Sequence, residues 1–277
     1  MGIKRKVFDF ITKRLIKLLR LNTGNKISCS LAALLNPTLS VSKENVNYVF
    51  SCPNELTRWR VETYFTKEPE TIEWINSFKE GDVLFDIGAN IGLYSIYAAK
   101  KGINVIAFEP ESQNYALLNK NIYMNQCQNN VMCLNIALSD TDSIDYLYLP
   151  LFGAGGAINC LGSPMDENGE LYNPIFKQGV VANSLDNFLL KSKFFPTHIK
   201  IDVDGIEPRV IKGAENTMKD QRLKSISIEL NEELKDHLAI IENLRLKGFD
   251  LLHKKHSGMF DSGKYFKIFN YVFVRNG

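Results

Sequence analysis

The chain has 277 residues, 45% of them hydrophobic, and a formal net charge of +2. That suits one large α/β domain, alone or with a small appendage, and leaves ample apolar material for a core. The charge is uneven: Lys4, Arg5, Lys6, Lys13, Arg14, Lys17 and Arg20 oppose only Asp9 in the first twenty residues, so the remainder is mildly acidic and does not read as a general nucleic-acid binder.

In residues 2–21, Ile3, Val7, Phe8, Phe10, Ile11, Leu15, Ile16, Leu18 and Leu19 form a broad apolar stripe at helical spacing among the basic residues. Two readings stand. One is a basic amphipathic helix on an anionic membrane surface; the other is an appendage helix packed on the domain or on a second copy of the chain. No stretch is long and apolar enough to span a bilayer. The run from Ile27 to Leu35 is faintly like a secretion signal, but Ser28 and Ser30 interrupt it and it closes at Asn36-Pro37 without a cleavage site. Cys29, Cys52, Cys127, Cys133 and Cys160 are odd in number and show no C-x-x-C or Cys/His ligand spacing. A disulfide framework or metal site is not expected, and a reducing cytoplasm is. Residues 22–53 show no clear period and read as a loose lead-in, so residues 1–57 are divided from a domain at 58–277.

Residues 58–66 alternate, with Trp59, Val61, Thr63 and Phe65 on one face, and are predicted as a strand. Pro69 suits the first turn of a helix running to Phe78. Strands are then expected at 82–87, 103–109, 131–138, 197–202, 224–230, 248–253 and 268–275. Helices are expected at 92–101, 112–125, 183–191, 206–220 and 231–247. This alternation implies a parallel sheet with helices on both faces. The last strand has no helix before it and reads as an antiparallel partner. Between the third and fourth strands lies an insertion. Asp140 to Leu149 suits an extra hairpin strand, Phe152 to Ala157 is glycine-rich, and Ser163 to Asn173 is polar. It is either a substrate-recognising lid or a surface excursion.

Residues 83–92, Val-Leu-Phe-Asp-Ile-Gly-Ala-Asn-Ile-Gly, carry the strongest signal. A buried strand feeding a glycine turn and a helix builds a nucleotide pocket at the carboxyl edge of a parallel sheet. Gly88 and Gly92 give G-x-x-x-G, not the G-x-G-x-x-G that cradles a pyrophosphate. Asp86 at the strand end would repel a pyrophosphate and suits an ammonium, such as the methionine end of S-adenosylmethionine. The next strand ends at Glu109-Pro110, where a carboxylate can accept from ribose hydroxyls.

Four blocks resemble the FkbM-type S-adenosylmethionine-dependent methyltransferases. They are Lys67 to Thr71 with Trp74, Phe85 to Ser95, Phe108-Glu109-Pro110 with Asn114 and Tyr115, and Ile199 to Glu207; Ala137 to Asp140 is a shorter echo. Asp204 stands where members of the family often have Glu. The resemblance implies a Rossmann-like class I methyltransferase fold: α/β, with a mostly parallel seven-stranded sheet, helices on both faces and a C-terminal antiparallel strand. It implies S-adenosylmethionine as cofactor, with Asp86, Gly88, Ala89, Asn90, Gly92, Glu109 and Pro110 at its site and Asp140 beside the adenine. It implies a hydroxyl acceptor on a sugar, glycoconjugate or natural product.

Methyl transfer from a sulfonium needs little covalent help, but an alcohol acceptor must be aligned and must lose a proton. Asp202 ends the fourth strand, where it either orients the hydroxyl or serves as base. Glu229 ends the fifth strand as a second base candidate. Asp204 and Glu207 follow Asp202, and Glu207 either joins the site or caps the next helix. His198 and His237 read as structural, whereas His253 and His256 lie near the sixth strand's end and stand as further base candidates. No run of residues suggests a metal site. Two other functions are a non-catalytic scaffold that keeps the cofactor fold and an RNA methyltransferase.

Overall fold

The computed structural model describes residues 10–17, 35, 37–263 and 265–276. Residues 10–17 are helical, with Phe10, Ile11, Leu15 and Ile16 exposed. The rest of the expected 2–21 helix, and Cys29, lie outside the described residues. No helix among those described is long and apolar enough to cross a membrane.

The described chain opens with a hairpin, β1 (Thr38–Lys43) and β2 (Val46–Ser51), then helices α1 (Glu55–Glu62) and α2 (Pro69–Asn76). There follow β3 (Val83–Ile87), α3 (Leu93–Lys100), β4 (Asn104–Phe108), α4 (Ser112–Met124) and β5 (Val131–Leu134). The insertion supplies β6 (Ala137–Ser139), β7 (Ser143–Leu149), β8 (Cys160–Leu161) and β9 (Phe176–Ser184). The chain continues through α5 (Leu185–Leu189), β10 (His198–Ile201), α6 (Glu207–Lys212), β11 (Ser225–Asn231), α7 (Lys235–Leu246), β12 (Phe249–Lys255) and β13 (Ile268–Arg275).

The central seven-stranded sheet has the order β12-β13-β11-β10-β3-β4-β5. Strands β11, β10, β3, β4 and β5 are parallel, and β13 is antiparallel to both of its neighbours. Strand periodicity sends alternate residues to opposite faces. Leu84, Val105 and Val131 meet α2, α3 and α4 on one face. Phe85, Ile87, Ile106, Phe108, Ile199 and Ile201 meet α5, α6 and α7 on the other.

Three expectations are corrected. Residues 58–66 are not a strand; Glu55–Glu62 is helical. Asn54 caps it, accepting from Thr57 N while Thr57 Oγ1 accepts from Asn54 N. Arg58 bridges Glu55 and Glu62 at helical spacing, and these local contacts outweigh the two-residue alternation. The lead-in is not loose over residues 38–51. Glu44 and Asn45 both take positive φ, 52° and 64°, the geometry that closes a two-residue hairpin. Tyr48 and Phe50 enter the core, and Asn121 of α4 and Asn125 at its C-cap bind the β2 backbone at Ser51 N (2.9 Å) and Val49 N (3.0 Å). The expected strand 131–138 divides into β5 in the main sheet and β6 elsewhere. Asn135 marks the break, its amide donating to Glu109 O and Pro110 O. The insertion is an ordered four-stranded sheet, β6-β9-β7-β8, with its own small core that includes Ile206.

Register places the strand ends together. Ile87 pairs with Ile201 and Phe108, and Ile201 pairs with Ile228. The residues that follow, Gly88, Asp202, Glu109 and Glu229, therefore share one edge. Gly88 has φ +86°, and a Cβ there would lie 1.8 Å from Asp202 O. The glycine thus serves the backbone approach between the ends of β3 and β10, rather than only keeping space for a ligand. Gly88→Ala is expected to destabilise the fold by at least about 2 kcal/mol, and denaturant titration of the purified variant measures it. An unchanged midpoint would refute the close approach.

Candidate functional site

A cavity of about 430 Å³ opens over this shared edge. Its wall includes Gly88, Asn90, Glu109 and Pro110 from the β3 and β4 ends, and Asp202, Asp204 and Glu229 from the β10 and β11 ends. Lys67 and Glu68 enter from the turn before α2, Trp59 and Arg60 from α1, and His256 and Phe260 from the turn after β12. Ile136, Leu138 and Phe108 add an apolar wall.

Glu109 is held rigidly. Its Oε2 accepts from Asn90 N at 2.7 Å and its Oε1 from Glu111 N at 2.9 Å. Burial nevertheless pushes its carboxyl up to about 8. The glycine-rich part of the insertion is strapped across the cavity. Asn90 and Asn114 both donate to Gly156 O, Asn114 Oδ1 accepts from Gly155 N, and Asp204 Oδ2 accepts from Ile158 N. Asn114 and its neighbours thus position a loop that begins forty residues later in the chain.

A charged cluster lies at the β3–β10 boundary. Lys200 is 2% exposed, and its Nζ donates to Asp202 Oδ2 at 2.7 Å. Burial alone would lower the lysine's pKa, but Asp202, Glu68 and Asp86 together raise it. Glu68 shows the converse. Burial would raise it, yet Lys67 at 2.8 Å and Lys200 hold it at about 2. Burial followed by repulsion from Asp202 pushes Asp204 up to about 6 and raises Glu229 well above the usual carboxylate range.

The expected site residues divide. Gly88, Asn90, Glu109 and Pro110 line the cavity, as do Asp202 and Glu229. Asp86, Ala89 and Gly92 are not on its wall. Asp86 is buried, with Oδ2 accepting from Ser95 Oγ and Oδ1 without a hydrogen-bond partner. Ala89 belongs to the core, and Gly92 makes room for Leu118, whose Cδ1 a Cβ would approach to 2.3 Å. Asp140 is drawn away from the cavity to Arg209 (3.2 Å) and Lys212 (3.1 Å). Burial would raise its pKa, but these cations hold it at about 2. Glu207 is also off the wall. It binds the Asp202–Glu207 turn from below, accepting from Val203 N (3.1 Å) and Gly205 N (3.0 Å), and burial pushes it up to about 8. It neither lines the cavity nor caps the following helix by a side-chain hydrogen bond; it braces the turn before that helix.

His198 stacks on Phe78 and bonds Ser225 and Asp82. His237 ties Asn231 N to the turn at Gly205 O. His253 lies within β12 and off the cavity wall. His256 lines the cavity, but Ile268 O and Asp261 Oδ1 engage its two ring nitrogens. No sequence pattern gives Lys200, Arg60 or Glu68 a role: Lys67-Glu68 and Lys200 stand inside the family-like blocks, whereas nothing local marks Arg60.

Parallel strands ending in a carboxylate-lined cavity, with an antiparallel strand inserted near one sheet edge, define the Rossmann-like class I methyltransferase fold. Residues 86–251 match the methyltransferase FkbM domain, and the chain belongs to that family. It is 24% identical over 192 residues to the hexuronic acid methyltransferase AglP of Haloferax volcanii, covering 68% of this chain and 73% of that one. It is 28% identical over 113 residues to a tRNA (guanine(37)-N(1))-methyltransferase of Anopheles darlingi; that match takes in 41% of this chain and spans only 20% of the mosquito enzyme. Among solved structures, Trm5b of Pyrococcus abyssi aligns with a TM-score of 0.47 and 13% identity, over 88% of this chain and 57% of that one.

The cofactor is S-adenosylmethionine, and the donor set suits it. Among the charged residues of the cavity wall the carboxylates outnumber the cations, and the unpartnered buried Oδ1 of Asp86 lies two residues before Gly88. A ligand with a sulfonium, an ammonium and ribose hydroxyls complements such a set. If Glu109 takes the ribose hydroxyls, they donate best to its ionised form, and its pKa of about 8, against an ordinary 4.5, means that such binding below pH 8 releases a proton. Affinity for the cofactor should therefore rise with pH from 6 to 8, by up to about tenfold per unit, and level off above. Calorimetry in buffers of different ionisation enthalpy measures both effects; flat affinity without proton release would exclude Glu109 as the ribose ligand.

Proposed function

We propose that the protein transfers a methyl group from S-adenosylmethionine to a hydroxyl oxygen on a sugar, glycoconjugate or natural product. The observation that carries this reading is the meeting of Asp202 and Glu229, from adjacent strand ends, in the same cavity as Glu109. The name of the Haloferax relative supports a sugar acceptor. The catalytic unit in this reading begins at β1, because the hairpin shares the core.

When bound, the cofactor supplies an electrophilic methyl group. The chain's own groups do the rest. Glu109, with Asn90 holding its orientation, takes the ribose side. Asp202 is pinned by Lys200, and no donor among the described residues reaches its Oδ1, so it is placed to orient the acceptor hydroxyl. Glu229, raised by burial and by Asp202, is the proton acceptor once ionised. The loop held by Asn90, Asn114 and Asp204 screens the cavity from water.

A tRNA acceptor, as in the mosquito relative's name, needs a run of cations along its phosphates. Outside the first twenty residues this chain is mildly acidic, which favours the small acceptor.

Saturating S-adenosylhomocysteine, at about one hundred times its dissociation constant, should stabilise the fold by about 2.7 kcal/mol. The absence of any thermal shift would point to a scaffold that has lost cofactor binding. With an identified acceptor, Glu229→Gln should lower turnover about a hundredfold with little change in cofactor affinity. Asp202→Asn should raise the acceptor KM as well as lower turnover. If Glu229→Gln turns over normally while Asp202→Asn is inactive, Asp202 is the base.

A further inference from the structure

Methyl transfer to a neutral alcohol leaves the terminal nitrogens of Arg60 without a use. The residue lies in the last turn of α1, half-buried, on the cavity wall. Its Nε donates to Gly155 O at 2.8 Å, which fixes the guanidinium plane. No acceptor among the described residues takes up its two terminal nitrogens. Lys67 beside it differs, since Glu68 occupies its ammonium at 2.8 Å. A pre-oriented guanidinium fork with both outer nitrogens open matches the two oxygens of a carboxylate or phosphate.

The fork's position favours the acceptor over the cofactor. Arg60 acts electrostatically on Asp204 and on Lys67. Asp204 follows β10, and Lys67 in turn feels Asp202 and Glu229. Asp204, Asp202 and Glu229 lie at the β10–β11 end of the cavity. Trp59, 38% exposed, lines the same wall, as do Phe260 and Tyr265. A pyranose presents a C–H face to such rings and its hydroxyls to carboxylates. The acidic wall does not forbid an anion, because burial drives Glu229 toward its protonated form.

We propose that the acceptor is an anionic sugar, whose carboxylate or phosphate is taken by the free fork of Arg60 while its ring rests against Trp59. This rests on the O-methyltransferase reading above and names the acceptor class for the same site. Arg60 is then a specificity residue for the reaction.

Ligand-observed NMR titrations of the S-adenosylhomocysteine-loaded protein with D-glucuronate, D-glucose 6-phosphate and D-glucose test it. At least one anionic sugar should bind about tenfold or more tightly than glucose, the scale of hydrogen bonds to a charged group, and which one does tells carboxylate from phosphate. In Arg60→Gln the preference should shrink to about twofold or less, with affinity for S-adenosylhomocysteine unchanged; Arg60→Lys, which keeps charge without the fork, should fall between. Equal binding of all three sugars, no measurable binding of any, or a preference that survives in Arg60→Gln overturns the proposal. So does a loss of S-adenosylhomocysteine affinity in that variant, which would assign Arg60 to the cofactor's own carboxylate. Failure of the wild-type protein to bind S-adenosylhomocysteine is a separate result, and it overturns the methyltransferase reading beneath.

Discussion

The site depends on one buried ammonium. Lys200 comes up from the middle of β10, lies over the Tyr94 ring at 5.1 Å and stands among Asp202, Glu68 and Asp86. Three carboxylates and one lysine cannot be buried together unless the charges nearly compensate, since the desolvation of each ion is large. Lys67 supplies the second cation through Glu68. Burial raises the Asp86 carboxyl toward its neutral form, which lessens the negative charge that remains.

The second constraint is backbone proximity. The parallel register aligns four strand ends, and Gly88 lets two of them touch. Above them, the inserted sheet returns a loop whose carbonyls and N–H groups are met by Asn90, Asn114, Arg60 and Asp204. Arg60 and Asn114 sit on α1 and α4, and Asn90 and Asp204 on the turns that follow β3 and β10. The loop's geometry is thus set by the rigid sheet, although its own residues are small and carry little packing.

How much of this was legible in the sequence follows from how far apart the partners are. The wound sheet, the Gly88 turn, Glu109 and the pair Asp202 and Glu229 could be read because each sits at the end of a short apolar run, and strand ends on one edge must converge. Asp140 stands in the expected place after the third strand, but Arg209 and Lys212 lie 69 and 72 residues later, and no local pattern reveals that pairing. The hairpin at 38–51 did carry a signal, alternating Val46, Tyr48 and Phe50 after Glu44-Asn45, but its stability comes from Asn121 on α4 and Asn125 at its C-cap. The misread strand at 58–66 shows the reverse: local capping and charge spacing were present and decided the outcome over periodicity. Arg60 could not be read as a site residue because only the insertion's Gly155 brings it to the cavity.

The position of β13 bears on how the chain acquires its structure as it is synthesised. Ile268–Arg275 follows every other described strand, yet it lies inside the sheet between β11 and β12. Strand β12 pairs with β13 alone, so it cannot join the sheet ahead of it. During translation, β11 can dock on β10 early, and its far edge then stays unpaired until β13 has cleared the ribosome. An open, apolar edge such as Ile226, Ile228 and Leu230 is a template for pairing with another chain. The interval between the emergence of β11 and of β13 is therefore a period in which a nascent chain carries an unpaired edge open to pairing with another chain.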